Sequence, residues 1–325
     1  MITFVVLCFF SVRFVRYFYR MKTIAAQDKP ARKVGKSRFG QLGVAIPFML
    51  PAMVGLTVFV LVPAIRGIYL SFTEYNIFRA PEFIGVDNYV KAMADPFVWN
   101  AFWVTMQYVV INIGFQTVLA LFLAVLLHRF TKSVVIRGVL LVPFLISNVI
   151  VALVWFWLLD YNLGYVNSFI DMIGLQKTAF FGEYTAMPTI ALINVWRHLG
   201  YTALLIFAGL QTVPKDVYDA AAVDGASELR TFFQVTLPLL RPVMAFVLII
   251  TITGSFQVYD TIAVTTDGGP INATRTFSIL ITDRAWDNQQ FGYASAISVI
   301  LMLILVVVAV VQMRLLRANQ SDLDR

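Results

Sequence analysis

Cysteine is nearly absent from this sequence of 325 residues, and histidine is almost as scarce. The single cysteine, Cys8, excludes an intramolecular disulfide and a multi-cysteine metal site. The two histidines, His128 and His198, are too few for a histidine-rich metal centre. We therefore expect neither a metal nor another cofactor in this chain.

Charge is scarce as well. Only 13% of the residues are charged, whereas soluble domains carry about 25%. With 59% hydrophobic residues and a mean hydropathy of +0.78, the composition predicts an all-α, polytopic integral membrane protein. A net charge of +7 is also typical of proteins that bind nucleic acid. The basic residues cluster in particular loops, however, and membrane topology explains that clustering better.

Catalytic signatures are also missing. The sequence has no nucleophile elbow, no paired catalytic carboxylates and no metal cluster, so a membrane enzyme has little support. Gly35-Lys36-Ser37 resembles the end of a phosphate loop, but Pro30 occupies the position of the required first glycine. We expect that this chain is not an enzyme.

Long apolar runs are what the sequence has in place of these features. A transmembrane helix needs about 20 residues, and six segments of that length follow residues 1–41, which we interpret as a basic and aromatic N-terminal segment with a cytoplasmic tail. We interpret residues 42–318 as one six-span domain and 319–325 as a tail. The six predicted spans are 42–71, 101–127, 134–159, 187–210, 240–264 and 290–314.

The charges between these spans alternate in sign. The loop after the second span is basic, with Arg129 and Arg137, and basic residues also precede the first span and follow the last. Loops 72–100, 160–186 and 265–289 carry an excess of acids. The positive-inside rule therefore places both termini and the loop 211–241 in the cytoplasm.

Several predicted spans carry polar residues at helical spacing, on one face and at similar depth. Such residues either hold helices together or line a path for solute, and their spacing alone leaves both readings open. Arg197 lies near mid-bilayer, where a charge is costly, so it needs water, a carboxylate or backbone carbonyls. Asp260 is a candidate partner for it. The candidate path residues are Asn112, Gln116, Asn148, Asn194, Arg197, Tyr201, Thr253, Gln257, Tyr259 and Asp260.

Aromatic side chains accompany these stripes and could present flat faces to a sugar ring. Trp155, Trp157, Trp196, Tyr201 and Tyr259 lie near the polar stripe. Aromatic residues also anchor helices at membrane interfaces. We assign that role to Trp99, Trp103 and Trp286.

The longest polar-rich interval between two apolar segments is DAAAVDGASELRTFFQVTLPLLRP, from Asp219 to Pro242. Its pattern predicts two short helices separated at Asp224-Gly225. Gly225 can adopt a positive φ and so permits a sharp reversal. Pro214 suits the first position of the leading helix, whose first turn contains Asp216.

This interval resembles the cytoplasmic signature of the permease subunits of ABC importers. The one departure is Asp219, where that family usually has glutamate. In the family the segment is a coupling helix that docks on a separate ATPase subunit. The matching residues are Asp219, Ala220, Ala221, Asp224, Gly225, Ala226, Phe232, Val235, Leu237, Pro238 and Pro242.

Three further stretches, 143–167, 196–214 and 256–274, are similar to carbohydrate-importer permeases, in particular the first permease of maltose-, multiple-sugar- and glycerol-phosphate-type systems. The resemblance implies the type I importer fold with six transmembrane helices in the cell membrane of a prokaryote. It also implies a second related permease, two ATPase subunits that hold ATP and magnesium, and an extracytoplasmic solute-binding protein. The outer loop at Asp267-Gly268-Gly269-Pro270 is a candidate docking surface for that protein, or a plain turn.

Some alternatives stay open at this stage. A self-contained, ion-coupled carrier could use Asp260, His198 and Arg197 as a proton relay, although the six spans show no evident internal repeat. Neutral sugars and anionic glycerol-phosphate esters are equally plausible substrates. Residues 1–20 fit an interfacial anchor or a stretch that precedes a start at Met21.

Overall fold

A computed structural model describes residues 49–131 and 133–317, and it is almost entirely helical. The predicted tails at 1–41 and 319–325 lie outside these residues, as does the start of the first predicted span. The chain forms two compact units. One comprises the described residues up to Lys91 together with Gln289–Val306, and the other comprises Ala92–Asn288 with the residues from Val307 onward.

The first unit begins with helix α1 (Met49–Ser71), which contains a π-helical turn at Thr57–Leu61. A short hairpin that the sequence did not predict follows, in which β1 (Thr73–Glu74) pairs antiparallel with β2 (Glu82–Phe83). Helix α2 (Asp87–Ala94) comes next.

The hairpin of this unit is held by two buried contacts. The Nδ2 atom of Asn88 donates to the carbonyls of Ser71 and Thr73, at 3.0 and 2.9 Å. Gly292 lies so close to the carbonyl of Thr73 that an added Cβ would be 2.0 Å from its oxygen. The first turn of the last helix therefore packs directly on the backbone of β1.

The second unit is built on α3 (Pro96–Phe130), the longest helix described. Asp95 caps its N-terminus by accepting from the backbone N–H of Phe97 at 2.9 Å, and Pro96 occupies the first turn, where its missing N–H costs nothing. Its 35 residues span about 52 Å. The helix therefore begins before the predicted span 101–127 and ends after it.

The remaining helices of this unit follow in chain order, with the last one shared between the two units. They are α4 (Val134–Leu145), α5 (Asn148–Leu158), α6 (Tyr165–Met172), α7 (Ala186–Leu210), α8 (Lys215–Val223), α9 (Glu228–Thr231), α10 (Arg241–Phe256), α11 (Asp260–Thr265), α12 (Phe277–Thr282) and α13 (Phe291–Arg317). A π-helical turn (Phe232–Thr236) and a short turn (Leu237–Leu239) connect α9 to α10, and another π-helical turn (Asp283–Asp287) follows α12.

Small residues allow α3, α7 and their neighbours to pack closely. Ala120, Ala124 and Ala203 are fully buried in a cluster with larger aliphatic side chains. Gly200 of α7 faces the backbone of Leu140 in α4, where an added Cβ would be 1.8 Å from the carbonyl oxygen. Close backbone approach of this kind is typical of helix pairs in membranes.

Five described helices are long and apolar enough to cross a membrane, and a bent pair supplies a sixth span if it is counted as one. The five are Met49–Ser71, Pro96–Phe130, Ala186–Leu210, Arg241–Thr265 and Phe291–Arg314. The bent pair is α4 with α5, whose axes differ by 89°. The sequence predicted one segment over 134–159, and the structure divides that segment at Ile146 and Ser147.

Candidate functional site

The main candidate site is a polar cavity of about 420 Å³ within the second unit. Helices α3, α7 and α10 and the two breaks described below surround it. Most of the polar residues that the sequence placed on a solute path contribute to its wall. The predicted residues that line it are Asn112, Gln116, Asn148, Asn194, Tyr201, Gln257, Tyr259 and Asp260.

The first break, between α4 and α5, is held open by Arg197. Pro143 lies inside α4, and Ile146 and Ser147 adopt extended backbone conformations with ψ near 140°, so the last carbonyls of α4 have no helical partners. The guanidinium of Arg197 donates to the carbonyl of Phe144 at 3.1 Å and to that of Ile146 at 3.0 and 3.1 Å. A cation at a helix C-terminus also complements the helix dipole.

This contact corrects two predictions about Arg197. The residue does not line the cavity, and no ion pair with Asp260 forms among the described residues. Backbone carbonyls satisfy its charge instead, which was one of the three environments that the sequence allowed. The side chain thus fixes the bend in the third predicted span.

The second break separates α10 from α11 at Gln257–Tyr259. The helical spacing of Thr253, Gln257 and Asp260 had placed these three residues on one stripe. Because the helix ends at Phe256, that register is lost, and Thr253 is buried away from the cavity. Thr251 and Ser255 line the cavity from α10 in its place.

The two breaks meet through one polar contact. The Nδ2 atom of Asn148, the first residue of α5, donates to Oδ2 of Asp260, the first residue of α11, at 3.0 Å. The side chains that begin these two half-helices therefore share a wall of the cavity. The sequence predicted both residues as path residues but could not predict that they contact each other.

A buried hydrogen-bond network closes another wall. Asn112 donates to Ser255 at 2.9 Å and to Gln116 at 3.2 Å, and Gln116 donates to Thr202 at 2.8 Å. These contacts join α3 to α7 and α10. The same amides thus bind helices together and line the cavity, so the helix-joining role is confirmed for Asn112 and Gln116 and a role on a solute path stays a prediction.

Aromatic residues contribute differently from the prediction. Phe144, which the sequence analysis did not select, stacks on Tyr201 with ring centroids 4.3 Å apart and planes 8° from parallel, and both line the cavity. Trp155 and Trp196 pack edge-on against each other at 5.5 Å and do not line it. The side chain of Trp157 is 79% exposed. The position of Phe144, next to the break and following Pro143, was the available signal.

Residues 219–242, which the resemblance predicts to be the ATPase-coupling region and which we call the coupling segment, form a second candidate site. Helix α8 ends in a Schellman motif, in which Ala226 N–H donates to the Ala221 carbonyl at 3.0 Å and Gly225 N–H to the Ala222 carbonyl at 3.1 Å. Gly225 has φ of +69°, as its position predicted. Pro214 is the N-cap of α8 rather than its first residue, and Asp216 lies in its first turn.

The predicted coupling residues surround this reversal. Ser227 caps α9 by accepting from Arg230 N–H at 3.4 Å, and Pro238 and Pro242 each lie in the first turn of a helical segment. Arg129, at the end of α3, forms an ion pair of 2.8 Å with Glu228. Apolar side chains nevertheless remain exposed on this segment: Val223 is 88%, Leu229 73% and Phe233 62% exposed.

The loop after α11 is ordered by its own polar groups. Asp267, Ile271 and Asn272 have positive φ values, and the loop contains a cis Gly269-Pro270 bond, so it is more elaborate than the plain turn considered above. The hydroxyl of Thr274 donates to the Gly269 carbonyl at 2.7 Å. Ile271, at its tip, is 80% exposed.

Ion pairs hold the segment that follows this loop. Arg275 pairs with Asp283 at 3.2 Å, and Arg284 pairs with Asp95 at 3.1 Å. Burial raises the pKa of the Asp283 carboxyl, Arg275 opposes that effect, and the nearby Asp287 and Asp267 add to it. The loop after α11 and the N-terminus of α3 therefore belong to one electrostatically linked surface.

Known proteins share both the sequence and the fold of this chain. Residues 116–320 match the family described as binding-protein-dependent transport system inner membrane component. The chain is 31% identical to the sulfoquinovosyl glycerol transport system permease protein SmoG of Agrobacterium fabrum, over 85% of this chain and 91% of SmoG. It is 30% identical to the trehalose/maltose transport system permease protein MalF of Thermococcus litoralis, over 88% and 97% of the two chains.

A solved structure has the same fold. A chain of a bacterial alginate ABC transporter, crystallised in complex with an alginate pentasaccharide-bound periplasmic protein, superposes with a TM-score of 0.74 at 21% identity. The match covers 84% of this chain and 93% of the other. The chain therefore belongs to the family of binding-protein-dependent transport system inner membrane components, and it is a membrane permease subunit of an ABC importer rather than an enzyme.

Proposed function

We propose that this chain forms half of the translocation path of a sugar importer, with the polar cavity as part of that path. The supporting observation is a wall of amides, hydroxyls and one carboxylate beside a stacked aromatic pair. Such groups match the hydroxyls and the apolar ring faces of a sugar. The transport systems of SmoG and MalF, and the alginate transporter, are named for saccharides or sugar derivatives.

The proposed complex contains a second related permease, two ATPase subunits and an extracytoplasmic binding protein. The exposed apolar side chains of Val223, Leu229 and Phe233 support an ATPase contact at 219–242, because apolar side chains exposed on a polar, capped loop are typical of an interface. ATP and magnesium would be bound by the partner. The loop and both termini would then lie in the cytoplasm of a prokaryote, with the chain in its inner or plasma membrane.

Family membership sets aside the ion-coupled carrier. Arg197 and His198, two of the three groups of its proton relay, already form hydrogen bonds to other groups in the structure. Arg197 is bonded to the end of α4, and His198 is bonded to Arg197 and to the carbonyl of Asn194. Energy for transport would therefore come from the ATPase subunits.

The test is to co-express the chain with its neighbouring permease and ATPase genes, purify it through a tag and measure both ATPase recovery and ATP-driven sugar uptake. We expect stoichiometric recovery of both partners. Leu229→Asp places a charge in the proposed interface. A substitution at an interface hot spot costs about 2 kcal/mol, which corresponds to a roughly thirtyfold weaker contact, so ATPase recovery should fall steeply.

Leu163→Asp is the matched control, since Leu163 is 87% exposed and lies in a loop predicted to face the other side of the membrane. It should leave ATPase recovery unchanged. Recovery of the wild-type chain without ATPase, or equal recovery with both variants, would contradict the proposed coupling site.

A further inference from the structure

The cavity has an asymmetric charge. Asp260 contributes a carboxylate to its wall, and no lysine or arginine is among the described residues that line it. Arg197 interacts electrostatically with Asp260, but its guanidinium is bonded to the Phe144 and Ile146 carbonyls and does not line the cavity. The Asp260 carboxylate accepts from the amide of Asn148 and forms no ion pair in the described part of the chain.

His198, the other titratable group with a defined hydrogen-bond pattern in the wall, is held neutral by its partners. Its Nδ1 atom lies 2.8 Å from the Asn194 carbonyl, which can only accept, so Nδ1 carries the proton. Its Nε2 atom lies 2.9 Å from Nη1 of Arg197, which can only donate, so Nε2 is the acceptor. A protonated imidazole would have two donors facing each other at Nε2, and the cavity therefore gains no positive charge from this residue.

Hydrogen-bond partners also define how the amides of the wall are oriented. Ser255 donates its hydroxyl proton to the Thr251 carbonyl at 2.7 Å, so it can only accept from Nδ2 of Asn112. Asn148 must present Nδ2 to the Asp260 carboxylate. The Oδ1 atoms of Asn112 and Asn148 are left without partners among the described residues, as is the Nε2 donor of Gln257. These three atoms are buried, so the Asp260 carboxylate is the charged acceptor that the wall presents to the cavity.

From this geometry, and resting on the proposed function above, we infer that the cavity takes an uncharged polyhydroxylated solute and discriminates against anionic ones, with Asp260 as the specificity-determining residue. A sugar hydroxyl can donate to the Asp260 carboxylate in a charge-assisted hydrogen bond. A phosphate, sulfonate or carboxylate group brings only acceptors and a like charge at close range. In a site of low dielectric, that repulsion is far stronger than in water.

The charge selectivity of the cavity can be measured without knowing the solute. Gly254 lines the cavity, and an added Cβ would meet nothing within 4 Å, so Gly254→Cys places a thiol in open space on its wall. Cys8→Ser removes the chain's own cysteine. The assembled transporter carrying both changes is treated in nanodiscs with trimethylammonium-ethyl methanethiosulfonate or with sulfonatoethyl methanethiosulfonate, and the modification of this chain is followed by mass spectrometry.

The measured quantity is the ratio of the cationic to the anionic reaction rate, compared with the same ratio for free mercaptoethanol. We expect the ratio at the introduced cysteine to be larger by at least about tenfold. Asp260→Asn, which keeps the size of the side chain, should abolish that excess. Asp171→Asn removes a carboxylate that pairs with Lys177 and does not line the cavity, and it should leave the excess unchanged.

Three results would overturn the inference: a rate ratio equal to that of the free thiol, a ratio that survives Asp260→Asn, or no reaction even with the small neutral methyl reagent. Recovery of the ATPase subunits and ATP-driven uptake are read from the same preparation. Lost selectivity with intact coupling would contradict this inference alone, whereas lost coupling with intact selectivity would contradict the proposed function.

Discussion

The cavity and the coupling segment 219–242 are held by opposite kinds of contact. Hydrogen bonds around the cavity join residues far apart in sequence, with 143 positions between Asn112 and Ser255 and 112 between Asn148 and Asp260. The bonds that cap and reverse the coupling segment are local, as between Ala226 and Ala221 or between Arg230 and Ser227, and the ion pair of Arg129 with Glu228 ties it to α3. Ten of the twenty residues that line the cavity are buried, whereas the coupling segment leaves large apolar side chains exposed.

This difference shows which functional features a sequence can reveal on its own. A segment whose shape depends on caps and on one glycine at positive φ can be predicted from consecutive residues. A cavity whose shape depends on contacts between helices that are distant in sequence cannot be predicted in this way. Three substitutions, ordered by the size of the expected effect, separate the two kinds of dependence.

Gly200→Ala should have the largest effect, because its Cβ would lie 1.8 Å from the carbonyl oxygen of Leu140. Helices α4 and α7 would have to separate, and overpacking of this severity costs about 3 kcal/mol or more. We expect a steep loss of the folded transporter in thermal unfolding monitored by size-exclusion chromatography. Gly254→Ala, with nothing within 4 Å of the new Cβ, is the matched control and should unfold like the wild type.

Arg197→Leu should have an intermediate effect. It leaves the Phe144 and Ile146 carbonyls without their donors at the bend between α4 and α5, a loss of about 2 kcal/mol. We expect a lower unfolding temperature and reduced sugar uptake. Arg197→Lys keeps the charge but cannot donate in the same forked geometry, so it should recover only part of both losses. Uptake and stability equal to wild type in Arg197→Leu would show that the bend does not depend on this side chain.

Gly225→Ala should have the smallest effect on stability. Nothing lies within 4 Å of the new Cβ, so the cost is confined to a backbone with φ of +69° and amounts to about 1 kcal/mol. We expect near-normal unfolding but a measurable fall in ATP-driven uptake relative to the amount of assembled complex. Gly225→Asn, which tolerates positive φ better, should restore most of the uptake. Equal uptake in the alanine variant would show that coupling does not require this reversal.

Particular residues show how far the sequence could predict the site. The stripe predicted on α7 was Asn194, Arg197, His198 and Tyr201, and it was partly right. All but Arg197 line the cavity, because α7 is a continuous helix and offsets of 4 and 7 share a face, whereas Arg197 binds the end of α4. The stripe of Thr253, Gln257 and Asp260 failed because the helix ends at Phe256 and the register changes there. Phe144 was missed because only the bend at Ile146 and Ser147 brings it against Tyr201.

The sequence by itself determined the membrane class, the approximate number of spans, the reversal at Gly225, and the resemblance that the family match confirmed. Each of these depends on composition or on a few neighbouring residues. Only the tertiary structure decided that Arg197 binds the end of α4, that Asn148 meets Asp260 and that the wall carries a carboxylate without a lining cation. The physical reason is that each of these contacts joins two helices that are far apart in sequence, and each lies at a break in a helix whose position the sequence did not predict.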